Sequence, residues 1–224
     1  MSGPIIQDVE FTDNTSQRLP CVILVDCSES MSGPPIDELN SGLQLFEDEL
    51  KSDDIASQRV QLLVIGFGGD QDVQVCTDWT DAMAFTAPKL HASGMTPMGS
   101  AVRTAIAKIE EQKLRYKTYG IPYNRPWIFL LTDGEPTDDW RHAAAESRQA
   151  EQDGKFVFFG IGVGPGANLR KLEQFSVRKP VSLQGLRFRE LFLWLSRSAS
   201  SASKAAQSST VQLPPPTDWM QVST

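Results

Sequence analysis

The sequence predicts an α/β domain: a doubly wound, mostly parallel six-stranded sheet with one antiparallel edge strand and helices on both faces. Three observations predict it. Apolar runs at 22–25, 60–67 and 127–131 are of strand length and continuous rather than alternating, as in strands covered on both faces. Segments with apolar residues at helical spacing lie between such runs. Short polar motifs follow the first and fourth runs directly, at the edge where open α/β sheets bind their ligands.

Residues 1–18 read as an N-terminal arm, 19–197 as the domain, and 198–224 as a Ser/Ala linker with a Pro-rich tail. The first strand is 21–25, followed by a Ser-, Gly- and Pro-rich turn. Ile36, Leu39, Leu43, Phe46 and Leu50 then recur every three or four residues, which predicts a helix over 36–50. The second strand, 60–67, ends in glycines. The third, 73–79, follows too closely for a parallel crossover, so it reads as a hairpin partner and supplies the antiparallel edge. Residues 80–99 are irregular. Val102, Ala105, Ile106 and Ile109 predict a helix over 100–119, and 127–132 is the fourth strand.

An Ala-rich helix follows over 139–152, with Asp138 and Asp139 as its N-cap and first-turn charges. Residues 156–163 form a fifth strand. Leu169, Leu172 and Phe175 mark a short helix, and Phe188, Leu191, Phe192 and Leu195 a last one. The sixth strand has no run assigned to it. Beyond Arg197 the Ser/Ala stretch is expected to fray or link. Pro214 to Pro216 favour polyproline II. Trp219 and Met220 are costly to expose, so the tail is expected to dock on its own domain or on a partner.

With 40% hydrophobic residues the chain can build a substantial core, and its formal charge of −7 argues against nucleic acid and against an anionic membrane surface. No apolar run has the length of a membrane span. The first residues lack the apolar core of a signal peptide. The expected location is the cytoplasm. Cys21, Cys27 and Cys76 have no metal-type spacing and read as buried, reduced thiols.

The candidate site is built from Asp26, Ser28 and Ser30 after the first strand, Thr96 in the loop 93–99, and Asp133 after the fourth strand. Two carboxylates and three hydroxyls are hard oxygen donors, with no histidine or thiolate among them. Such a set suits Mg2+, with Mn2+ or Ca2+ as substitutes. Alone, Asp26-x-Ser-x-Ser is a polar turn with capping hydroxyls; the three motifs in order argue for a metal. His91 and His142 lie in no ligand motif. The glycines from Gly160 to Gly166 lack the register of a dinucleotide loop.

These motifs resemble the von Willebrand factor A domain with a metal-ion-dependent adhesion site (MIDAS). Its Asp-x-Ser-x-Ser pattern is met by Asp26, Ser28 and Ser30, its loop threonine by Thr96, and its Asp-Gly pair by Asp133 and Gly134. Segments 92–99, 125–138 and 186–196, with the Leu-Pro-Pro-Pro tail and Trp219, are similar to the bacterial tellurium-resistance-type (TerY-like) subfamily. That resemblance implies a small, stand-alone cytoplasmic protein encoded near stress-response genes, among them a protein kinase and a phosphatase, which become candidate partners. It implies direct metal ligation by Ser28 and Ser30, ligation by Thr96 directly or through water, and ligation by Asp26 and Asp133 directly or through bridging waters. An Asp or Glu carboxylate of a partner protein would complete the shell. Glu29 stands where many relatives carry a small residue and adds a negative charge.

The expected function is thus a metal-dependent protein–protein interaction module, non-enzymatic and without catalytic residues. One alternative is an aspartyl phosphatase of haloacid dehalogenase type, with Asp26 as nucleophile and Asp138 and Asp139 holding Mg2+. Ser28 stands where such an enzyme needs a second Asp. Another alternative is a scaffold whose metal is purely structural.

Overall fold

Strand β1 (Leu19–Asp26) is buried along its whole length because it lies inside the sheet with helices on both faces. It pairs in parallel with β2 (Val60–Phe67) on one side and with β4 (Trp127–Thr132) on the other. The computed structural model describes residues 14–69, 72–183 and 187–205, and the backbone of 220–222. Beyond β4 lie β5 (Val157–Val163) and β6 (Val181–Leu183), both parallel. Strand β3 (Val73–Asp81) is antiparallel to β2 and forms an edge. The expected six-stranded, mostly parallel sheet is therefore present in β1–β6. The tail adds a seventh strand, β7 (Met220–Val222), antiparallel to β6, giving the order β3-β2-β1-β4-β5-β6-β7. The tail thus pairs with its own domain.

Side chains alternate across the sheet. Cys21, Ile23 and Val25 join one core with α1 (Pro34–Ser52) and α6 (Phe188–Lys204). Val22 and Leu24 join the other with α3 (Met98–Tyr119) and α4 (Trp140–Gln152). Two short helices, α2 (Ala56–Arg59) and α5 (Leu169–Leu172), complete the set. Helix α1 begins at two prolines, whose fixed φ suits a first turn and whose missing N–H is no loss there. Its Gly42 sits against α6: a Cβ there would lie 2.5 Å from the Phe192 ring. The two helices therefore approach closely, and Phe46 and Phe192 meet with ring centroids 5.6 Å apart.

Two expected boundaries move. Residues 198–204 were expected to link or fray, but they are the end of α6, with Ser198, Ala199, Ala202 and Ser203 buried. Small side chains are what allow that last stretch to lie close to the domain. Ser200 Oγ (2.6 Å) and Lys204 Nζ (2.7 Å) both donate to Asp53 Oδ2 just after α1. At the other end, Arg18 is fully buried. It donates to Asp81 and to the carbonyls of Asn14, Ser16 and Gln58, so residues 14–18 are stitched to the domain. The remainder of the expected arm, and residues 206–219 of the tail with Pro214–Pro216 and Trp219, lie outside the described residues. Among the described helices none is long and apolar enough to cross a membrane.

Candidate metal centre

Strand order reverses between β1 and β4, and the carboxyl ends of these neighbours hold the two site carboxylates. Asp26 closes β1 and is fully buried. Its Oδ1 accepts from the Ser28 N–H (2.9 Å) and its Oδ2 from Thr132 Oγ1 (2.5 Å). Burial pushes the Asp26 carboxyl up, the hydrogen bonds from Ser28 and Thr132 oppose this, and repulsion from Asp133 adds to it. A cation placed between the carboxylates would reverse that balance.

After Asp26 the chain turns through one 3-10 turn, Glu29–Met31, anchored by the fully buried Met31. The turn brings Ser28 Oγ and Ser30 Oγ within 3.1 Å of each other, and Ser30 Oγ donates to Asp133 Oδ1 at 2.8 Å. Gly68, at φ +108°, permits this turn. A Cβ there would sit 2.6 Å from the backbone of Cys27 and Ser28, and its positive φ disfavours any L side chain. Glu29 is exposed; its N–H donates to Gly94 O at 3.1 Å.

Thr96 arrives on the irregular segment between β3 and α3, which is pinned along its length. Glu47 Oε2 accepts from Ala87 N (2.8 Å). Asn40 bonds both the N–H and the carbonyl of Leu90 (2.8 and 3.0 Å). Ser93 N donates to Cys27 O (2.8 Å). Thr96 itself is 6% exposed. The point where all three motifs meet is Gly134: a Cβ there would lie 3.5 Å from Thr96 Oγ1, 3.7 Å from Asp26 Oδ2 and 3.7 Å from Ser30 Oγ. Asp26, Ser28, Ser30, Thr96 and Asp133 are thus brought into one cradle.

The donors fit a hard divalent cation: carboxylate and hydroxyl oxygens suit Mg2+, Mn2+ or Ca2+. Among the described residues no group of three or more His, Cys, Asp or Glu side chains forms a metal cluster. A soft-metal cage of thiolates and imidazoles is therefore not what this edge offers. Cys27, inside the first motif, is buried, and burial pushes its thiol up to about 12. Cys21 is also buried, whereas Cys76, on the edge strand β3, is only half-buried rather than buried as expected; both are unpaired and both are raised by burial.

Residue-by-residue reading of the sequence missed Thr132, which bonds Asp26 and accepts from Gly134 N at 3.2 Å. It also missed Thr137, whose Oγ1 accepts from Thr96 N (3.0 Å) and whose N–H donates to Thr96 O (2.9 Å). Asp138 was expected to cap the helix that follows it. Instead Asp139 occupies that N-cap position, and Asp138 turns to α3: it accepts from Gly99 N (3.0 Å), Ser100 N (2.8 Å) and Ser100 Oγ (2.9 Å). A carboxylate committed to three donors on α3 is poorly placed for the phosphatase role weighed above. Glu135 is exposed and bonded to Lys171 and Asn168, which hold its carboxyl below the usual range.

Residues 21–183 match the family model of the von Willebrand factor type A domain. A search of curated protein sequences finds no match. Among solved structures, proximal thread matrix protein 1 from the mussel byssus superposes with a TM-score of 0.56 at 15% identity, covering 94% of this chain and 50% of that one. The same mussel protein has been solved with a zinc-occupied MIDAS motif, matching at 14% identity and a TM-score of 0.56 over 85% of this chain and 47% of that one. The pilus adhesin SpaC from Lactobacillus rhamnosus GG gives a TM-score of 0.63 at 12% identity, over 84% of this chain and 32% of that one. At these identities the likeness is one of fold. This chain spans half or less of the length of each.

Proposed function

The chain belongs to the von Willebrand factor type A domain family, and on that footing we propose that it is a metal-dependent protein-interaction module. Asp26, Ser28, Ser30, Thr96 and Asp133 hold a divalent cation, and a partner's Asp or Glu carboxylate completes its shell. The observation that carries this reading is the convergence of Thr96, Asp26 and Ser30 oxygens on Gly134, with Ser30 tied to Asp133. Mg2+ is the proposed ion, with Mn2+ or Ca2+ as substitutes; the zinc found in the mussel protein's MIDAS motif is a further candidate.

Bound there, a divalent cation supplies attraction for an anionic ligand. The protein's own groups supply the gate. Asp26, Asp133 and the exposed Glu29 present negative charge to an approaching carboxylate. Like charges about 4 Å apart repel by roughly 1 kcal/mol in water and about 4 kcal/mol at an effective dielectric of 20. Neutral hydroxyls from Ser28, Ser30 and Thr96 leave much of the ion's charge uncompensated, so a bound ion inverts the sign of the surface. Ser28 stands where the phosphatase alternative needs a second Asp, and Asp138 is committed to the start of α3, which favours binding over catalysis.

The finer placement follows the resemblance of segments 92–99 and 125–138 to the TerY-like subfamily: a bacterial stress-response or tellurium-resistance-type system, in the cytoplasm, with a kinase or phosphatase encoded nearby as candidate partner. Three unpaired thiols among the described residues agree with a reducing compartment. The experiment is a pull-down from the source cell with the full chain as bait, in Mg2+ and then in excess chelator. Release of the partner by the chelator is expected. A partner retained at full strength would overturn the reading, and a trapped phosphoaspartate at Asp26 would replace it with the phosphatase.

A further inference from the structure

Helix α3 begins two residues after the metal-site threonine, and its own N-cap position is Pro97, which offers no side-chain acceptor. The first N–H groups of a helix need partners and favour a negative charge. They find both in Asp138, from the loop after β4, through Gly99 N, Ser100 N and Ser100 Oγ. One residue earlier, Thr137 forms a reciprocal pair with Thr96, taking the Thr96 N–H on its hydroxyl and giving its own N–H to the Thr96 carbonyl. The seam has no slack: a Cβ at Gly99 would lie 2.7 Å from Trp140 Cα and 3.2 Å from both Asp138 oxygens.

We infer that Thr137 and Asp138 are positioning residues that clamp the Thr96 loop to the Asp133 loop and hold Thr96 Oγ1 in place for the cation. The inference rests on the metal-site reading above. Asp133 and Asp138 lie on one short loop, so fixing that loop to the start of α3 fixes the distance between a carboxylate ligand and a hydroxyl ligand that come from different crossovers. Neither clamp residue is itself a ligand. Thr137 acts on Thr96 directly and Asp138 through the first turn of α3 that follows it, in the way outer partners orient metal ligands elsewhere.

A charge change at Asp138 would weaken cation binding at a distance whatever its contacts, so the test is a double-mutant cycle. Mn2+ affinity is measured by calorimetry on the full chain and on Thr137→Val, Thr137→Ser and Asp138→Asn, each with Thr96 intact and with Thr96→Ala. With Thr96 intact, Thr137→Val and Asp138→Asn are expected to weaken binding by about tenfold, while Thr137→Ser, which keeps the acceptor, retains it. In the Thr96→Ala background Thr137→Val is expected to have less than about a twofold effect, and Asp138→Asn to keep only the smaller loss that its missing charge causes. Equal losses in both backgrounds, or no loss in either, would overturn the clamp. Failure of the unaltered chain to bind Mn2+ would instead remove the metal-site reading and the clamp with it. Thr137 is exposed, so Thr137→Val keeps the cycle informative even if Asp138→Asn fails to fold.

Discussion

Ser30 Oγ donates to Asp133 Oδ1 across 2.8 Å, joining the turn after β1 to the loop after β4 over 103 residues of sequence. Both side chains are at the surface end of the cradle, so removing either leaves the core intact. Ser30→Ala and Asp133→Ala are expected to keep folded-state stability within about 0.5 kcal/mol in the absence of cation. Each should weaken Mg2+ or Mn2+ binding by roughly a hundredfold or more, since even outer partners of ligands are worth ten- to a hundredfold. Thermal melts and calorimetric titration check the two halves separately.

Gly134 provides the space between three site oxygens. Added Cβ contacts of 3.5–3.7 Å are ordinary van der Waals distances, so Gly134→Ala should fold. The methyl would stand among the oxygens that need to face an ion, and cation affinity should fall by about tenfold or more. A titration of this variant that matched the unaltered chain would mean that the ion sits elsewhere.

Asp26 is a buried carboxylate beside a second one, so the folded state without cation carries unfavourable charge there. Asp26→Asn retains oxygen and amide groups able to pair with Ser28 N and Thr132 Oγ1. It should melt at least as high as the unaltered protein in chelator. A saturating cation, at a hundred times its Kd, should stabilise the unaltered protein by about 2.7 kcal/mol and leave Asp26→Asn unchanged. Differential scanning calorimetry with and without Mg2+ reads both.

Asp53 fastens the end of α1 to α6. Burial opposes its ionisation, but hydrogen bonds from Lys204, Ser200 and the Ala56 and Ile55 N–H groups outweigh that and hold its carboxyl well below the usual carboxylate range. A carboxyl depressed on folding contributes stability above its unfolded pKa, near 4, and loses it as pH falls toward the folded value. Stability should therefore decline below about pH 4. Asp53→Asn keeps an oxygen for the Ile55 and Ala56 N–H groups but loses the carboxylate that accepts from Lys204 and Ser200, so it should be less stable at pH 7 by about 1 kcal/mol. Its acid decline should also be shallower. Urea midpoints from pH 2 to pH 7 test the sign.

How far these features could be read from the sequence depends on how local they are. Strands β1, β2 and β4 are continuous apolar runs because both faces are covered, and that pattern is unmistakable. Strand β6 is only three residues long and β7 pairs through a segment with no apolar run, so neither leaves a periodic trace. The end of α6 is written in Ser and Ala, which look like a linker until Asp53 and the close packing behind them are known. The ligand motifs are short and contiguous, hence legible. The groups that aim them are not: Asp138 precedes a helix and reads as its cap, whereas its partners lie 38 and 39 residues back, at the start of α3. Thr132 reads simply as the end of a strand, and only the neighbouring strand shows that its hydroxyl serves Asp26.

The most direct measurement is anomalous diffraction from crystals of the full chain grown with Mn2+. A single strong peak is expected within ligand range of Ser28, Ser30 and Thr96 hydroxyls, with Asp26 and Asp133 beside it directly or through water, next to Gly134. A peak at another place, or none at millimolar Mn2+, would contradict a metal centre at this edge.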